Sequence, residues 1–315
     1  MCAASDPAWL ERRREGITAT DIVTIAGLVT WDSPWARYHR KLGLLPEVEQ
    51  SDRMRLGSWL EMAVAAEWWR HHPADEPVRG GLFRSTVRTW QMATPDAVVG
   101  CEPDGYCGGH AVLECKSSAT RIGWGEDGSD QVPAHVRAQV LWQMDTLGVG
   151  TGHVAVVFLP SGEFRSYTIR HDGCHEASHE DVCPDCKLCD EVDGLRDLGF
   201  GFWSRILRRR PPDLDGLEVT TEALKALHPV TLPPAVELSP GLVFAYDSAA
   251  EARKIAESTY RKAQNDIRSA MGDAGFGLLK GEFAFSRRIG KRAGYTVPPG
   301  ETDVLRRIGK DKNDG

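Results

Sequence analysis

The chain is expected to fold as an α/β protein with a sheet flanked by helices. Three observations predict this: helical spacing of apolar residues in the N-terminal third, short runs bounded by Gly, Pro and Asp from about residue 81, and one long helical segment interrupting those runs. With 315 residues and 41% apolar content there is enough material for a packed core and about two domains' worth of chain.

In order along the chain, Ser5-Asp-Pro-Ala-Trp9 supplies an N-cap and a first-turn proline for a helix ending near Arg14. Gly16-Ile-Thr-Ala-Thr-Asp21 breaks the chain and restarts it, with Thr20 as the candidate N-cap of a helix stopping at Gly27. Helices are expected over 34–42 and about 53–72, the second burying Leu56, Leu60, Val64 and Trp68. The runs Leu82–Val87, Thr89–Ala93, Ala97–Val99 and Ala111–Cys115 read as a meander with a turn at Glu102-Pro-Asp-Gly105. A helix over about 132–147 is entered through Pro133, and strands His153–Leu159 and Phe164–Ile169 are joined by Pro160-Ser-Gly162. Leu195–Arg209 is helical, and 211–240 reads as a Pro-rich linker holding a short helix, Thr221–Leu227. A long amphipathic helix follows at about 247–271, then a basic hairpin and tail. The expected organisation is a domain over 1–210 with a Cys/His-rich insertion at 171–190, the linker, and a C-terminal extension over 241–315.

A formal charge of −7 argues against a generic polyanion binder, but the average conceals a body at −11 and a tail over 276–315 at +4. No run approaches the roughly 20 apolar residues of a membrane span, and Met1–Leu10 lacks a secretory pattern, so a cytoplasmic protein without membrane contact is expected.

The sharpest local signal is Thr94-Pro-Asp96 followed by Glu114-Cys-Lys116. Residues two apart on a strand share a face, so Glu114 and Lys116 project together. With Asp96 at the end of the neighbouring strand, two carboxylates meet and a divalent cation relieves their repulsion; oxygen ligands with water suit Mg²⁺ or Mn²⁺. Lys116 beside it would hold the attacking water, the composition required for phosphodiester hydrolysis. The competing reading is a solvated pair on an edge strand; apolar Val112, Leu113 and Cys115 favour an interior strand. Glu61 and Gln139 sit on otherwise apolar helix surfaces. Arg13 with Thr18 and Thr20 would place a cation and hydroxyls at a helix N-terminus, suited to an anion or to simple capping.

In order, Trp9-Leu-Glu-Arg-Arg13, Gly16-Ile-Thr-Ala-Thr-Asp21, Gly57-Ser-Trp-Leu-Glu61, Thr94-Pro-Asp96, Leu113-Glu-Cys-Lys116 and Ala138-Gln-Val-Leu-Trp142 resemble the motifs of the YqaJ-type viral recombinases. These are phage alkaline exonucleases similar to lambda exonuclease, within the PD-(D/E)xK nuclease superfamily. The resemblance covers roughly residues 5–170. It implies a restriction-endonuclease-like core with a central mixed sheet, and a phage or prophage enzyme working in a bacterial cytoplasm. The implied activity is Mg²⁺-dependent 5′→3′ degradation of one strand of linear double-stranded DNA. That leaves 3′ single strands for recombination with a single-strand annealing protein, from a homo-oligomeric ring around DNA.

By position, the resemblance implies Asp96 and Glu114 as metal ligands, Lys116 on the water, Glu61 in support, and Gln139 positioning the lysine or the substrate. Arg13, Thr20 and Thr94 resemble the pocket for the 5′ phosphate; Arg14 competes with Arg13, which aligns from Trp9 to Thr20 without a gap.

Outside that pattern lies a cluster, Cys174, Cys183, Cys186 and Cys189, with His171, His175 and His179 nearby. In a reducing compartment this spacing reads as a metal knot binding Zn²⁺ or an iron–sulfur cluster. The four cysteines are the expected ligands, with His175 or His179 as alternates and Cys101 or Cys107 as a distant fourth for iron–sulfur. The rival functions are an iron–sulfur nuclease acting on single-stranded ends and a catalytically inactive scaffold that binds DNA ends. In the tail, Arg287, Arg288, Lys291, Arg292, Arg306, Arg307 and Tyr295 are candidate DNA contacts.

Overall fold

The computed structural model describes residues 7–100, 111–171, 187–230 and 235–289. Helix α1 (Pro7–Arg14) leads into α2 (Ala19–Ile25), whose N-cap is Thr18 and not Thr20. The Thr18 hydroxyl accepts from the Asp21 amide, while the Asp21 carboxylate accepts from the Thr18 amide at 2.7 Å; Thr20, with Val23 three positions on, cannot form this capping box. Ser33 and Ser51 cap α3 (Pro34–Lys41) and α4 (Asp52–His71). In α4, Val64 and Trp68 are buried and Leu60 is half-buried, but Leu56 is exposed, one turn short of the sheet.

The sheet contains β1 (Pro77–Arg79), β4 (Ala97–Val99), β5 (Ala111–Ser118), β6 (Thr151–Phe158) and β7 (Glu163–Arg170) in that spatial order. β5 and β6 are parallel and the other pairs antiparallel, so the sheet is mixed. A parallel pair requires a crossover, supplied by α5 (Ala134–Leu147), which ends at Gly148 in the left-handed region. The single meander expected over 82–115 is divided. β2 (Phe83–Arg84) and β3 (Met92–Ala93) form a separate ribbon, because the Ser85 and Gln91 backbones pair and the Ser85 hydroxyl takes the Arg88 amide, closing a local turn.

One sheet face, with Val112, Val154, Val156, Tyr167 and Ile169, packs against α2, α5 and α6 (Lys187–Leu207). The other, with Ala97, Val99, Leu113 and Ala155, packs against Val64 and Trp68 of α4. Helix α6 begins earlier than expected, since buried Leu188, Val192, Leu195, Gly199, Phe202 and Ile206 keep helical spacing from its first turn. Helix α7 (Glu218–Leu227) lies in the stretch expected as a linker; its Ala223 packs on Trp35, Ala36 and Leu45, and its buried Thr220 hydroxyl donates to the Asp215 carboxylate and stands 2.7 Å from the Ser33 hydroxyl.

The chain divides into two compact units, residues 1–229 and 230–315. The second holds α8 (Pro240–Met271), started by Ser239 and a first-turn proline, and the hairpin of β8 (Phe276–Leu279) and β9 (Glu282–Ser286). Among the described residues, no helix is long and apolar enough to cross a membrane.

Candidate active site

The antiparallel register of β4 on β5 pairs Ala97 with Leu113, so one step further places Asp96 across from Glu114. The Asp96 carboxylate accepts from the Cys115 amide at 2.7 Å, which anchors it to the strand between Glu114 and Lys116. Glu114 is 3% exposed, yet both its oxygens are engaged. One is shared by Lys116 Nζ and Gln139 Nε2, the latter at 2.6 Å; the other accepts from Gln143 Nε2 at 2.7 Å. Gln139 Oε1 in turn accepts from Lys116 Nζ at 3.0 Å. A carboxamide both donates and accepts, so Gln139 can bridge the acid and the ammonium where a charged residue could not.

Gln143 escaped the sequence reading. It stands four residues after Gln139, on the same face of α5, and that spacing was the available signal. Gly80 escaped it as well: its amide donates to the Asp96 carbonyl at 3.0 Å, and a Cβ there would stand 1.9 Å from the Pro95 carbonyl oxygen. Only glycine lets β1 approach the Thr94-Pro95-Asp96 segment this closely.

Burial, together with Glu114 and Glu61, holds the Asp96 carboxyl well above the ordinary range. Burial and Glu114 also raise Glu61, which brings that residue into electrostatic range from α4. Burial opposes the charge on Lys116, but Glu114 and Asp96 outweigh it and hold the ammonium above the usual lysine range. A site that frustrates its own carboxylates fits a hard dication, with Asp96 and Glu114 as ligands. Among the described residues, no three His, Cys, Asp or Glu side chains form a preassembled metal cage.

The residues of the expected phosphate pocket are placed differently from one another. Arg13 donates to the Thr18 hydroxyl at 3.3 Å, whereas Thr20 is exposed in the first turn of α2. Thr94 Oγ1 is buried with no hydrogen-bond partner among the described residues. Arg14 pairs with Glu47 at 3.2 Å.

Of the Cys/His cluster, Cys174, Cys183, Cys186, His175 and His179 lie outside the described residues, as do Cys101 and Cys107. Cys189 lies in the first turn of α6, where His171 Nε2 stands 3.2 Å from its Sγ. Of the basic tail, Arg287 and Arg288 are described and exposed; Lys291, Arg292, Tyr295, Arg306 and Arg307 lie outside.

Comparison with known proteins agrees with the ordered motifs. Residues 8–153 match the model of the YqaJ-like viral recombinase domain. Over 279 residues the chain is 26% identical to the uncharacterized protein YqaJ of Bacillus subtilis (strain 168), covering 86% of this chain and 80% of that one. Among solved structures it is similar to the alkaline exonuclease LHK-Exo from Laribacter hongkongensis, at 17% identity over 65% of this chain and 97% of that one, with a TM-score of 0.43. The complex of LHK-Exo with dAMP gives 15%, 65%, 94% and 0.48 for the same quantities. A phage-related exonuclease from Haemophilus somnus 129PT gives 8%, 62%, 96% and 0.40. Over residues 8–153 this chain is thus similar to the YqaJ-like viral recombinase domain.

Proposed function

We propose that the protein is a metal-dependent exonuclease that degrades one strand of linear duplex DNA from its 5′ end and leaves 3′ single strands for recombination. The observation that carries this reading is the convergence of Asp96, Glu114 and Lys116 in one cluster around the buried Glu114 carboxylate, with Gln139 bridging the last two. Asp96 and Glu114 would hold the divalent cation, which when bound neutralises charge on the scissile phosphate.

The protein's own residues carry the other tasks. Lys116 Nζ, released from Glu114 toward the substrate, orients the water that attacks phosphorus. Gln139 keeps that ammonium in place, and Gln143 fixes the far oxygen of Glu114. Attack forms the new P–O bond from water and breaks the bond to the 3′ oxygen of the neighbouring nucleotide, which leaves with a proton. Arg13, Thr20 and Thr94 would receive the terminal 5′ phosphate. The buried Thr94 hydroxyl, without a partner among the described residues, supports that role, because an unsatisfied buried hydroxyl is costly unless a ligand completes it. The partners of this reading are linear DNA ends and a single-strand annealing protein, with a ring of like subunits around the duplex.

At the Cys cluster the reading is a structural Zn²⁺, with an iron–sulfur cluster as the other soft-metal option. The approach of His171 to Cys189, eighteen positions apart, supports a closed base for that insertion. Digestion of a linear duplex with Mg²⁺ or with EDTA, by the parent and by Glu114→Ala, tests the nuclease reading. Loss of digestion in EDTA and in the variant is expected; persistent digestion by folded Glu114→Ala would overturn it.

A further inference from the structure

Trp31, on the connection between α2 and α3, is 65% exposed, although its neighbours Val29, Asp32 and Ser33 are buried. The Asp32 carboxylate accepts from the Ser33 amide at 2.9 Å and from Arg40 at 2.6 Å, and it pairs with Arg37, while Ser33 caps α3. The backbone on both sides of Trp31 is therefore pinned, and the indole is held out to solvent from a fixed loop.

The indole meets the ring of His135 in the first turn of α5 edge to face, with centroids 5.7 Å apart and planes at 87°. His135 stands four residues before Gln139 and eight before Gln143, so the three share one face of the helix. Both glutamines engage Glu114, and Gln139 also engages Lys116. The Trp31–His135 pair thus lies one helical turn from the residue that bridges the acid and the ammonium. Burial, and then the Lys116 ammonium, lower the His135 imidazole below its ordinary range, which agrees with that proximity.

A single exposed aromatic side chain is ordinary. An exposed indole on a pinned loop, braced by a second ring beside the Glu114–Lys116 cluster, is instead preorganised to receive a flat ligand. Every nucleobase has a π-face, so stacking on an aromatic side chain tolerates any sequence. An enzyme that removes one nucleotide after another meets a different base each time and can use only a contact of that tolerant kind. The nucleotide spanning the end phosphate and the scissile phosphate is the terminal one, and Trp31 lies between α2, which carries Thr20, and α5, which carries Gln139.

We infer that Trp31 is a stacking platform for the unpaired 5′-terminal nucleobase, with His135 the positioning residue that braces the indole. This rests on the nuclease reading above and adds to it a contact with the base.

The test measures initial digestion rates of the full chain, with Mg²⁺, on two linear duplexes with 5′ phosphates, one intact and one whose 5′-terminal nucleotide is a tetrahydrofuran abasic residue. For the parent, KM should be about tenfold higher on the abasic end with kcat little changed, within the range that stacking of one base on an aromatic ring supplies. Trp31→Ala should show that loss on the intact end and no further loss on the abasic one, and Trp31→Phe should restore most of it. His135→Ala should raise KM on the intact end alone, whereas a purely structural role would weaken both ends alike. Trp31 is exposed, so its replacement leaves the core untouched. Trp31→Ala with the parent's KM on the intact end, or with the parent's penalty for the abasic end, would overturn the proposal while the nuclease reading survives. Absence of digestion of either duplex by the parent would overturn both.

Discussion

Asp145→Asn should destabilise the first unit strongly, because Asp145 ties three elements together. Its carboxylate is 2% exposed and accepts from Arg88 at 2.9 Å on each oxygen, from Arg196 at 2.5 and 3.1 Å, and from Gln91 at 2.7 Å. These contacts join α5 to the β2–β3 turn and to α6, and so fix the helix carrying Gln139 and Gln143 against the segment leading to Asp96. Asparagine keeps the volume but removes the charge and turns one acceptor into a donor facing donors. Breaking a buried pair costs roughly 3–5 kcal/mol; the two guanidiniums, 20% and 25% exposed, keep some solvent screening, so about 2–4 kcal/mol is expected here. Two positive neighbours, above all Arg196 through its hydrogen bonds, also hold the Asp145 carboxyl below its ordinary range despite burial. Urea unfolding of parent and variant at neutral pH measures the difference. A change under about 0.5 kcal/mol, the scale of an ordinary surface substitution, would refute the view of Asp145 as a lock.

Other outcomes follow from single contacts. Gly80→Ala forces Pro95 and Asp96 away from a Cβ that would stand 1.9 Å from the Pro95 carbonyl, so nuclease rate should drop about a hundredfold while the protein stays folded; an unchanged rate contradicts the placement of Asp96. His153, its ring tilted against those of Trp68 and His72, is pushed down to about 4, chiefly by burial and then by His72. The folded state therefore prefers neutral His153. Its contribution is present above the unfolded value of about 6.5 and is lost as pH falls through about 4, up to roughly 3 kcal/mol. His153→Gln should flatten the acid side of a stability–pH curve, and an identical slope in both proteins would count against this. Elemental analysis of purified protein should find about one zinc per chain at the Cys cluster; neither zinc nor iron would end the metal reading there.

How much of this was legible in the sequence depends on the range of the interaction that decides it. The shared face of Glu114 and Lys116 follows from strand periodicity alone, and the α3 and α4 starts follow from Ser33 and Ser51, since caps are local. The choice of Thr18 over Thr20 was legible too, since Asp21 stands three positions after Thr18, the capping-box spacing, while Val23 stands three after Thr20. The Gln143 contact depends on where the α5 crossover lays its helix over β5, and the Trp31–His135 contact on where the α2–α3 connection meets α5; neither is a property of nearby residues. The early start of α6 follows from Leu188 and Val192, which keep the helical spacing of its buried face around Cys189. In the second unit, α8 begins at Pro240 because Ser239 caps it, a signal masked by reading the surrounding prolines as linker.

The central claim is that this site removes nucleotides from the 5′ end of one strand. Strand-resolved digestion of a linear duplex, labelled in turn at the 5′ and 3′ end of one strand, tests it most directly. Early release of the 5′ label as mononucleotide, with the 3′ label retained in long single strands, is the predicted result. Early loss of the 3′ label, or cleavage at internal positions, would contradict the account.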